Sequence, residues 1–375
     1  MEHSIAIIKK CLDKFDYRYI QYFPTRHSKF IGNEFYVLCS FLFKKKISVF
    51  NSTAFYPIYE KFLRFSKPEL HFLYRLLFHN DETLIDNLMY FFNKDEIKAL
   101  RKDMFLLSSG NRYRFKLRLI PISNLLVISS PAKHEGRFDY VHIGYDTFTL
   151  WNFLKKKLKR EKVANALEIG CGAGFLSLWM SRFADSVTAA DINQKALDLT
   201  SLNARINNIN NIITVKSDVY TRLNGKYNFI ISNPPFELLP DDKKNSLHAY
   251  GGHLGMEITC KILSGLDAHL KKDGIAYIMA NSYIKKSGQD TLNNEIENIL
   301  GRQCFAVTMF EFSYQIKPGQ CFFYKSHGIS HSIAYLIQIQ RSERFSLTVI
   351  QLKGISRLKE NLRVKLLSHL CKNDV

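Results

Sequence analysis

The chain has 375 residues, 46% of them hydrophobic, and a formal net charge of +19. The length predicts two domains, or one domain with sizeable additions, and the charge makes RNA or an acidic protein surface a candidate partner. The 7 cysteines form no CxxC pair, which argues against a disulfide framework and against a metal site of the zinc type. The N-terminus lacks the apolar core of a signal peptide and no run of about 18 apolar residues occurs, so we expect a cytoplasmic protein without membrane spans.

Residues 1–135 predict a mainly helical N-terminal domain of winged-helix-like type. Apolar residues recur at helical spacing over 34–46, 67–79, 82–92 and 94–102, and Asn93 with Glu96 forms a candidate capping box. Two helices separated by a short turn and followed by a hairpin around Ser109–Asn111 are typical of a winged helix. This domain is expected to recognise substrate or to cover the active site.

The second strand of that hairpin is expected over 112–120. Arg112, Arg114, Lys116 and Arg118 alternate with apolar residues, so one face of the strand is predicted to be wholly basic. Such a face favours contact with nucleic acid or with an acidic protein. The alternative is a solvated strand face without a partner.

A polar, turn-rich linker over 131–141 leads into a second domain, predicted over 136–342, in which strands and helices alternate. This alternation predicts an α/β fold, a doubly wound, mostly parallel, seven-stranded Rossmann-like sheet. The predicted strands cover 165–169, 186–191, 212–217, 227–232, 274–280, 304–312 and 332–340. A 19-residue loop separates the last two strands, and residues 343–375 are predicted to add a C-terminal strand and helix.

The first strand of this domain runs into a turn, Glu168–Gly174, that contains three glycines. Glycine lets the main chain turn sharply and lets a ligand approach the backbone. The spacing is GxGxG rather than GxGxxG, which argues against a dinucleotide and against an NAD-dependent oxidoreductase. A glycine turn alone is weak evidence, because tight helix–strand packing also demands glycine.

Two acidic residues end the next two strands. Asp191 follows the glycine turn by about twenty residues, where a carboxylate can accept both hydroxyls of a ribose. Asp218 can take the amino group of an adenine while Val219 packs on the ring. The three features in register predict a site for an adenosyl cofactor.

The fourth strand ends in the sequence Asn233-Pro234-Pro235-Phe236, which suits methylation of a planar nitrogen. Such a nitrogen is a poor nucleophile, because its lone pair is delocalised. If Asn233 Oδ1 and the Pro234 carbonyl accept its two N–H hydrogens, the lone pair is aimed at the methyl donor. Proline fixes φ, and Phe236 can stack on the planar group, so these four residues are the predicted catalytic set.

The motifs EIGCGAG, the acid after the second strand, SD and NPPF resemble those of class I S-adenosylmethionine-dependent methyltransferases. The resemblance covers roughly 140–340. More narrowly, the motifs are similar to those of the "methyltransferase small domain" group, which includes ribosomal RNA guanine-N2 and release-factor glutamine N5 methyltransferases. GYDT (144–147) and YGGHLGMEITCKIL (250–263) further resemble a bacterial subgroup with an N-terminal extension domain. The resemblance implies S-adenosyl-L-methionine as cofactor, with Tyr145 and Thr147 closing over its methionine end. The full set of expected cofactor-binding residues is Tyr145, Thr147, Glu168, Gly170, Cys171, Gly172, Gly174, Asp191, Ile192, Asp218 and Val219.

The favoured function is therefore N-methylation of an amide or of an exocyclic aromatic nitrogen, with RNA ranked first as the acceptor. A glutamine side chain in a translation factor and a small metabolite amine stay open, as does a non-enzymatic module that binds cofactor or RNA without transfer. Genome composition could also account for the lysine excess. No metal is predicted, because the histidines lack metal-ligand spacing, and the sequence does not indicate an oligomeric state.

Overall fold

The computed structural model describes residues 2–15, 17, 64–131, 141–158, 162–240, 246–315 and 321–351. The helix predicted over 34–46 lies outside these residues, as do most of the predicted linker and the predicted helix of the C-terminal extension. Helix α1 (Glu2–Lys14) opens the chain and buries one apolar face. Among the described helices, none has the length and apolar character needed to cross a membrane.

Residues 68–115 form three helices and a small three-stranded sheet. The elements are α2 (Pro68–Phe78), β1 (Thr83–Leu84), α3 (Ile85–Met89), α4 (Lys94–Lys102), β2 (Leu106–Ser109) and β3 (Arg112–Phe115). The capping box is present at the start of α4, since Asn93 accepts the Glu96 N–H and the Glu96 carboxylate accepts the Asn93 N–H, both at 2.9 Å. The sheet order is β1-β3-β2. Two helices and a hairpin occur in the predicted order, but β1 and α3 replace the single helix predicted over 82–92.

The prediction of a single strand over 112–120 with one wholly basic face is wrong. β3 ends at Phe115, and a separate strand, β4 (Arg118–Ile122), begins after Lys116 and Leu117. The Arg118 side chain is buried, donates to the Phe78 carbonyl at 2.9 Å and lies 4.1 Å from the centre of the Phe78 ring. Three of the four predicted basic residues therefore remain on the hairpin, and Arg118 belongs to the interior.

β4 pairs with β5 (Leu125–Ser129) in a second hairpin, whose outer edge is held by a helix of the larger α/β part of the chain. The Asn203 side chain accepts the Ile128 N–H at 2.7 Å and donates to the Ile128 carbonyl at 2.9 Å. Asn207, one turn later, makes the same pair of bonds with Leu126. Leu126 and Ile128 point their main-chain groups to the same edge of β5. The side-chain amides of Asn203 and Asn207, four residues apart, form the hydrogen bonds that a neighbouring strand would otherwise make there.

The larger α/β part of the chain is built on one eight-stranded sheet of order β13-β11-β12-β10-β9-β6-β7-β8. Its strands are β6 (Val163–Ile169), β7 (Ala184–Asp191), β8 (Ile212–Lys216), β9 (Tyr227–Ser232), β10 (Leu270–Lys285), β11 (Phe305–Gln315), β12 (Ile329–Arg341) and β13 (Ser346–Ile350). The helices are α5 (Tyr145–Lys157), α6 (Phe175–Met180), α7 (Gln194–Ile206), α8 (Glu257–His269), α9 (Thr291–Leu300) and α10 (Cys321–Ser326). β6 to β10 are mutually parallel, whereas β12 runs antiparallel to both β10 and β11.

This sheet confirms the predicted doubly wound, mostly parallel α/β fold. The sheet has eight strands rather than seven, because the strand predicted for the C-terminal extension, β13, joins it by pairing in parallel with β11 at the edge. The predicted 19-residue loop between the last two strands is shorter, because β11 extends to Gln315, β12 begins at Ile329, and helix α10 lies between them.

Buried side chains of the N-terminal region and of the sheet belong to one hydrophobic cluster. Leu126 and Ile128 of β5 share it with Leu176 and Phe175 of α6, all of them nearly inaccessible to solvent. Burial of this kind contributes about 25 cal/mol for each Å² of apolar surface removed from water. The predicted domain boundaries at 135 and 342 stay predictions.

Candidate active site

A cavity of about 570 Å³ opens at the carboxyl ends of the central parallel strands. Its wall is formed by the residues that follow β6, β7, β8 and β9, where ligands of open α/β sheets bind. Ser232, the last residue of β9, donates its hydroxyl to the Ile169 carbonyl at the end of β6, at 2.8 Å. The glycine turn after β6 and the Asn233–Phe236 segment after β9 are thereby fixed side by side.

The glycine turn leaves open space where side chains would project. Gly170 and Gly172 have φ values of +71° and +54°, and a Cβ added at either would meet nothing within 4 Å. Neither glycine is required by close packing, so the space beside them is available to a ligand. Gly174 differs, because a Cβ there would lie 2.6 Å from the Thr200 side chain. We assign Gly174 to helix packing at the start of α6.

Glu168 is the next-to-last residue of β6 and lies within the protein interior, where it is 3% exposed. Its Oε2 accepts the main-chain N–H of Ser177 at 2.7 Å and the Ser177 hydroxyl. Burial raises the pKa of Glu168 to about 8, although the two Ser177 hydrogen bonds lower it. The carboxyl group is largely protonated near neutral pH and ties the end of β6 to helix α6.

Asp191 braces the glycine turn from the neighbouring strand. Its Oδ2 accepts the Gly172 N–H at 2.9 Å, and its Oδ1 accepts the Asn193 N–H at 2.8 Å. Burial raises the pKa of Asp191 despite these hydrogen bonds, which favour the charged form. Each oxygen keeps a second lone pair, so the carboxylate can still accept hydrogen bonds from a ligand. Ile192, which follows, lines the cavity and is 54% exposed.

Val219 adopts a strained backbone conformation beside Asp218. Its φ is +51°, a value that β-branched residues rarely adopt. The Ser217 hydroxyl donates to the Val219 carbonyl at 3.0 Å, which helps to hold this turn. Strain of this kind costs roughly 1 to 3 kcal/mol and is concentrated at functional sites. The Asp218 carboxylate lies 3.8 Å from Lys261 Nζ, at the rim of the cavity.

Asn233 has one satisfied and one unsatisfied amide atom. Its Nδ2 donates to Thr147 Oγ1 at 2.8 Å, whereas its Oδ1 is buried and has no hydrogen-bond partner among the described residues. An unsatisfied buried acceptor costs about 1 to 3 kcal/mol, which a donor supplied by a ligand recovers. Thr147 therefore contacts Asn233 directly, a role that sequence reasoning did not assign to it. Tyr145, the other residue expected over the methionine end, begins helix α5.

The glycine-rich segment that begins at Tyr250, noted above only for its resemblance to a bacterial subgroup, packs against the main chain of Phe236. A Cβ on Gly251 would lie 2.7 Å from the Phe236 Cα, and one on Gly255 would lie 2.6 Å from the Phe236 carbonyl oxygen. Glu237 continues the contact by exchanging main-chain hydrogen bonds with Ala249 and Gly251. Several glycines occur close together shortly after the Asn-Pro-Pro-Phe motif, and this pattern is the sequence feature from which the close approach could have been predicted.

The cavity lining is acidic, although the chain as a whole is basic. Six residues with carboxyl groups line the cavity, of which only Glu168 is described above as largely protonated near neutral pH, and neither lysine nor arginine lines it within the described residues. The six are Asp146, Glu168, Asp191, Asp218, Glu237 and Glu257. An acidic wall favours a cationic ligand, and the open space at Gly170 and Gly172 fits a ligand that lies against the main chain. In the part of the chain that the structure describes, no cluster of histidine, cysteine and acidic residues is arranged to hold a metal ion.

Similarity to known proteins shows which family this chain belongs to. The methyltransferase small domain family matches residues 133–305. A protein of Methanocaldococcus jannaschii, named "Putative protein N5-glutamine methyltransferase", is 34% identical over 136 residues, which are 34% of this chain and 68% of that protein. The chain belongs to the methyltransferase small domain family. It is accordingly an S-adenosylmethionine-dependent methyltransferase, and the family implies S-adenosylmethionine as methyl donor.

Two other relatives of this methyltransferase differ in the substrate that their names give. The release factor glutamine methyltransferase of Streptococcus pneumoniae is 34% identical over 125 residues, which are 30% of this chain and 44% of that protein. The ribosomal RNA small subunit methyltransferase C of Erwinia tasmaniensis is 30% identical over 133 residues, which are 35% of each protein. The chain thus spans less than half of these two relatives. Among solved structures, ribosomal protein L11 methylase from Lactobacillus delbrueckii subsp. bulgaricus aligns with a TM-score of 0.37 at 18% identity, over 53% of this chain and 81% of that one.

Proposed function

We propose that this methyltransferase transfers the methyl group to a planar nitrogen, an amide or an exocyclic aromatic amine, held by the Asn233–Phe236 segment. One observation carries the proposal. Asn233 lines the cavity with a buried Oδ1 that lacks a hydrogen-bond partner in the described part of the chain, while its Nδ2 is held by Thr147. A planar N–H donor is the group that such an oxygen would accept.

The residues of the segment act mainly by positioning. Asn233 Oδ1 accepts one hydrogen of the acceptor nitrogen, and the carbonyl of Pro234 accepts the second. Pro235 restricts the main chain, and Phe236 packs on the planar group. Alignment of two reactants in this way contributes on the order of 7 to 11 kcal/mol. A general base is not required, since the nitrogen can lose a proton to water after transfer.

The cofactor is assigned to the other half of the cavity. S-adenosylmethionine, when bound, supplies an electrophilic methyl group on a sulfonium centre. Gly170 and Gly172 leave room for it against the main chain, and Asp191 accepts its ribose hydroxyls. Asp218, Ile192 and Val219 hold the adenine. The acidic lining supports this placement, because it lowers the free energy of a bound cation.

An RNA base is the proposed acceptor, supported by the net charge of +19 and by relatives named as ribosomal RNA methyltransferases. A glutamine side chain is the second candidate, because two relatives at 34% identity are named as glutamine methyltransferases. Both acceptors offer a planar nitrogen whose N–H can donate to Asn233 Oδ1.

The test is transfer of tritium from labelled S-adenosylmethionine to fractionated cell lysate, followed by digestion with ribonuclease or with protease. Label in N-methylated nucleosides supports the RNA acceptor, and label in N5-methylglutamine supports the second candidate. Asn233→Ala should lower the rate about 100-fold, whereas Asn233→Asp, which keeps an acceptor oxygen, should lose less. An Asn233→Ala rate within threefold of wild type would remove the assigned role of this amide.

A further inference from the structure

The N-terminal region carries two neighbouring groups of cations, one on a helix and one on the hairpin that follows it. The short helix α3 is followed by a four-residue turn, helix α4 and the β2–β3 hairpin. In helix–turn–helix modules the second helix is the one that contacts nucleic acid. The helix in that position here is α4.

One side of α4 is apolar and the other is basic. Ile97 and Leu100 are buried, whereas Lys94, Lys98 and Arg101 are exposed. The three cations are spaced by four and three residues, so they lie in one row along the helix. Asp95, in the first turn, is the acidic residue nearest to this row in sequence.

The hairpin that follows α4 carries a second group of cations. Arg101 lies with its guanidinium 5.9 Å from the centre of the Tyr113 ring on β3, a contact that joins the helix row to the hairpin. Arg112 and Arg114 flank Tyr113 in the strand and therefore point to its opposite face, and Lys116 follows the strand end. Of these four cations, only Arg114 is partly covered. We call the set of Lys94, Lys98, Arg101, Arg112, Arg114 and Lys116 the basic helix–hairpin face.

None of these six side chains forms an ion pair with another described residue. The acidic neighbour Glu96 is engaged on the other side of α4, where it accepts from Lys10 at 3.1 Å. Cations grouped without partners repel one another, and the repulsion is relieved when counterions or an anionic ligand collect on them. The face is therefore built to hold negative charge from outside the chain.

We propose that the basic helix–hairpin face binds the phosphate backbone of a nucleic acid. Two groups of cations, one along a helix and one on the adjoining hairpin, suit a linear polyanion better than a compact acidic patch on a protein. The acidic side chains of the cavity repel phosphates, so the backbone of a nucleic-acid ligand has to be bound by another part of the molecule. The proposal goes beyond the assignment of the acceptor, since a chain that methylates protein could still bind nucleic acid here.

Fluorescence anisotropy of the full chain tests the proposal with three labelled probes, an RNA duplex and a DNA duplex of about 20 base pairs and a single-stranded RNA. The variant Lys98→Gln/Arg112→Gln/Lys116→Gln removes three exposed cations of the face. Arg222→Gln/Lys226→Gln/Lys272→Gln removes the same charge from exposed sites of the catalytic domain and is the matched control.

We expect the first variant to raise Kd at least tenfold near 0.1 M salt and the control less than threefold. The slope of log K against log salt should fall by about 0.9 for each duplex phosphate contact that is lost. Equal losses in both variants would overturn the proposal, as would equally tight binding of polyglutamate, which would indicate an acidic protein partner. The three probes show which nucleic acid is preferred.

Binding of S-adenosylhomocysteine by calorimetry separates this proposal from the previous one. Both variants should bind it as the wild type does, which also establishes that they are folded. If the wild type fails to bind it, the cofactor assignment fails, whereas the anisotropy result still decides the role of the basic helix–hairpin face.

Discussion

Thr147 and Asn233 together decide which atom of the Asn233 amide is left to accept a hydrogen bond. Thr147 Oγ1 accepts the hydrogen bond that Asn233 Nδ2 donates, at 2.8 Å, so Oδ1 is the amide atom without a partner among the described residues. An amide that could rotate freely would present a donor as often as an acceptor. Thr147 thus serves as a positioning residue for the proposed acceptor site.

We expect Thr147→Val to lower kcat about tenfold, because one orienting hydrogen bond is worth about 1 kcal/mol or somewhat more. Affinity for S-adenosylhomocysteine should not change, and Thr147→Ser, which keeps the hydroxyl, should restore most of the rate. Single-turnover transfer and calorimetry measure the two quantities. Loss of cofactor affinity with an unchanged rate would instead support the expected position of Thr147 over the methionine end.

Glu168 makes stability depend on pH. Its folded pKa of about 8 lies above the ordinary value of 4.5, so between these values the folded chain holds a proton that the unfolded chain releases. The contribution of Glu168 to the free energy of unfolding is greatest below the ordinary pKa of 4.5 and is lost as the pH rises through the folded pKa of about 8. Each unit of pKa difference corresponds to about 1.4 kcal/mol.

Glu168→Gln should remove this dependence, because the amide cannot ionise and its oxygen can still accept from Ser177. Urea unfolding at several pH values between 5 and 8 measures the effect. We expect the variant to gain stability relative to wild type steadily as pH rises. Parallel stability profiles for the two proteins would show that Glu168 is ionised in the folded chain.

At the scale of elements, the Asn233–Phe236 segment owes its position to the turn at 251–255. Gly255 has a φ of +65°, and its Cα faces the Phe236 carbonyl so closely that a Cβ would lie 2.6 Å from that oxygen. The proposed acceptor site is therefore supported by main-chain contact, which allows little adjustment.

Gly255→Ala should displace Phe236 and reduce transfer by about tenfold or more, with cofactor affinity retained. Gly288→Ala is the matched control, since Gly288 also has a positive φ, +86°, but a Cβ there meets nothing within 4 Å. Both substitutions carry the same kind of backbone strain, and only the first carries the collision. Equal activity of the two variants would contradict the supporting role.

At the scale of the whole molecule, Asn203 joins three parts of the chain. Its side chain bonds both main-chain groups of Ile128 on β5, and its Nδ2 also donates to the Ala173 carbonyl in the glycine turn at 2.8 Å. The N-terminal hairpin, helix α7 and the proposed cofactor turn meet at one buried amide.

Asn203→Ala should lower the free energy of unfolding by about 2 to 4 kcal/mol, because three main-chain groups lose their partners inside the protein. Asn224→Ala, which removes an exposed amide, is the control and should change stability by less than about 0.5 kcal/mol. Chemical denaturation with one shared baseline treatment measures both. A cost at Asn203 no larger than at Asn224 would mean that water replaces the lost bonds.

The catalytic sheet and the ends of its strands could be predicted from sequence, because the signals are local. Asn233, Gly172 and Asp191 each follow an apolar strand, and parallel strands bring their carboxyl ends to one edge. The fate of Arg118 could not be predicted in this way, since alternation alone does not show where a strand ends.

The features that sequence reasoning missed depend on distant partners. Asn203 lies 75 residues from Ile128, and an asparagine within a helix gives no sign that its amide will meet a strand. The hydrogen bonds between Glu168 and Ser177 were hidden for a different reason. Both residues are close in sequence, but their contact requires the sharp glycine turn that separates them.

The asparagine pair on α7 also bears on how the chain avoids self-association. A two-stranded hairpin has two bare edges, and a bare edge is a template on which another chain can add a strand. Asn203 and Asn207 occupy the N–H and C=O groups of Ile128 and Leu126, so this edge of β5 offers no free positions there. Substitutions at the two asparagines should therefore promote aggregation beyond what their loss of stability explains.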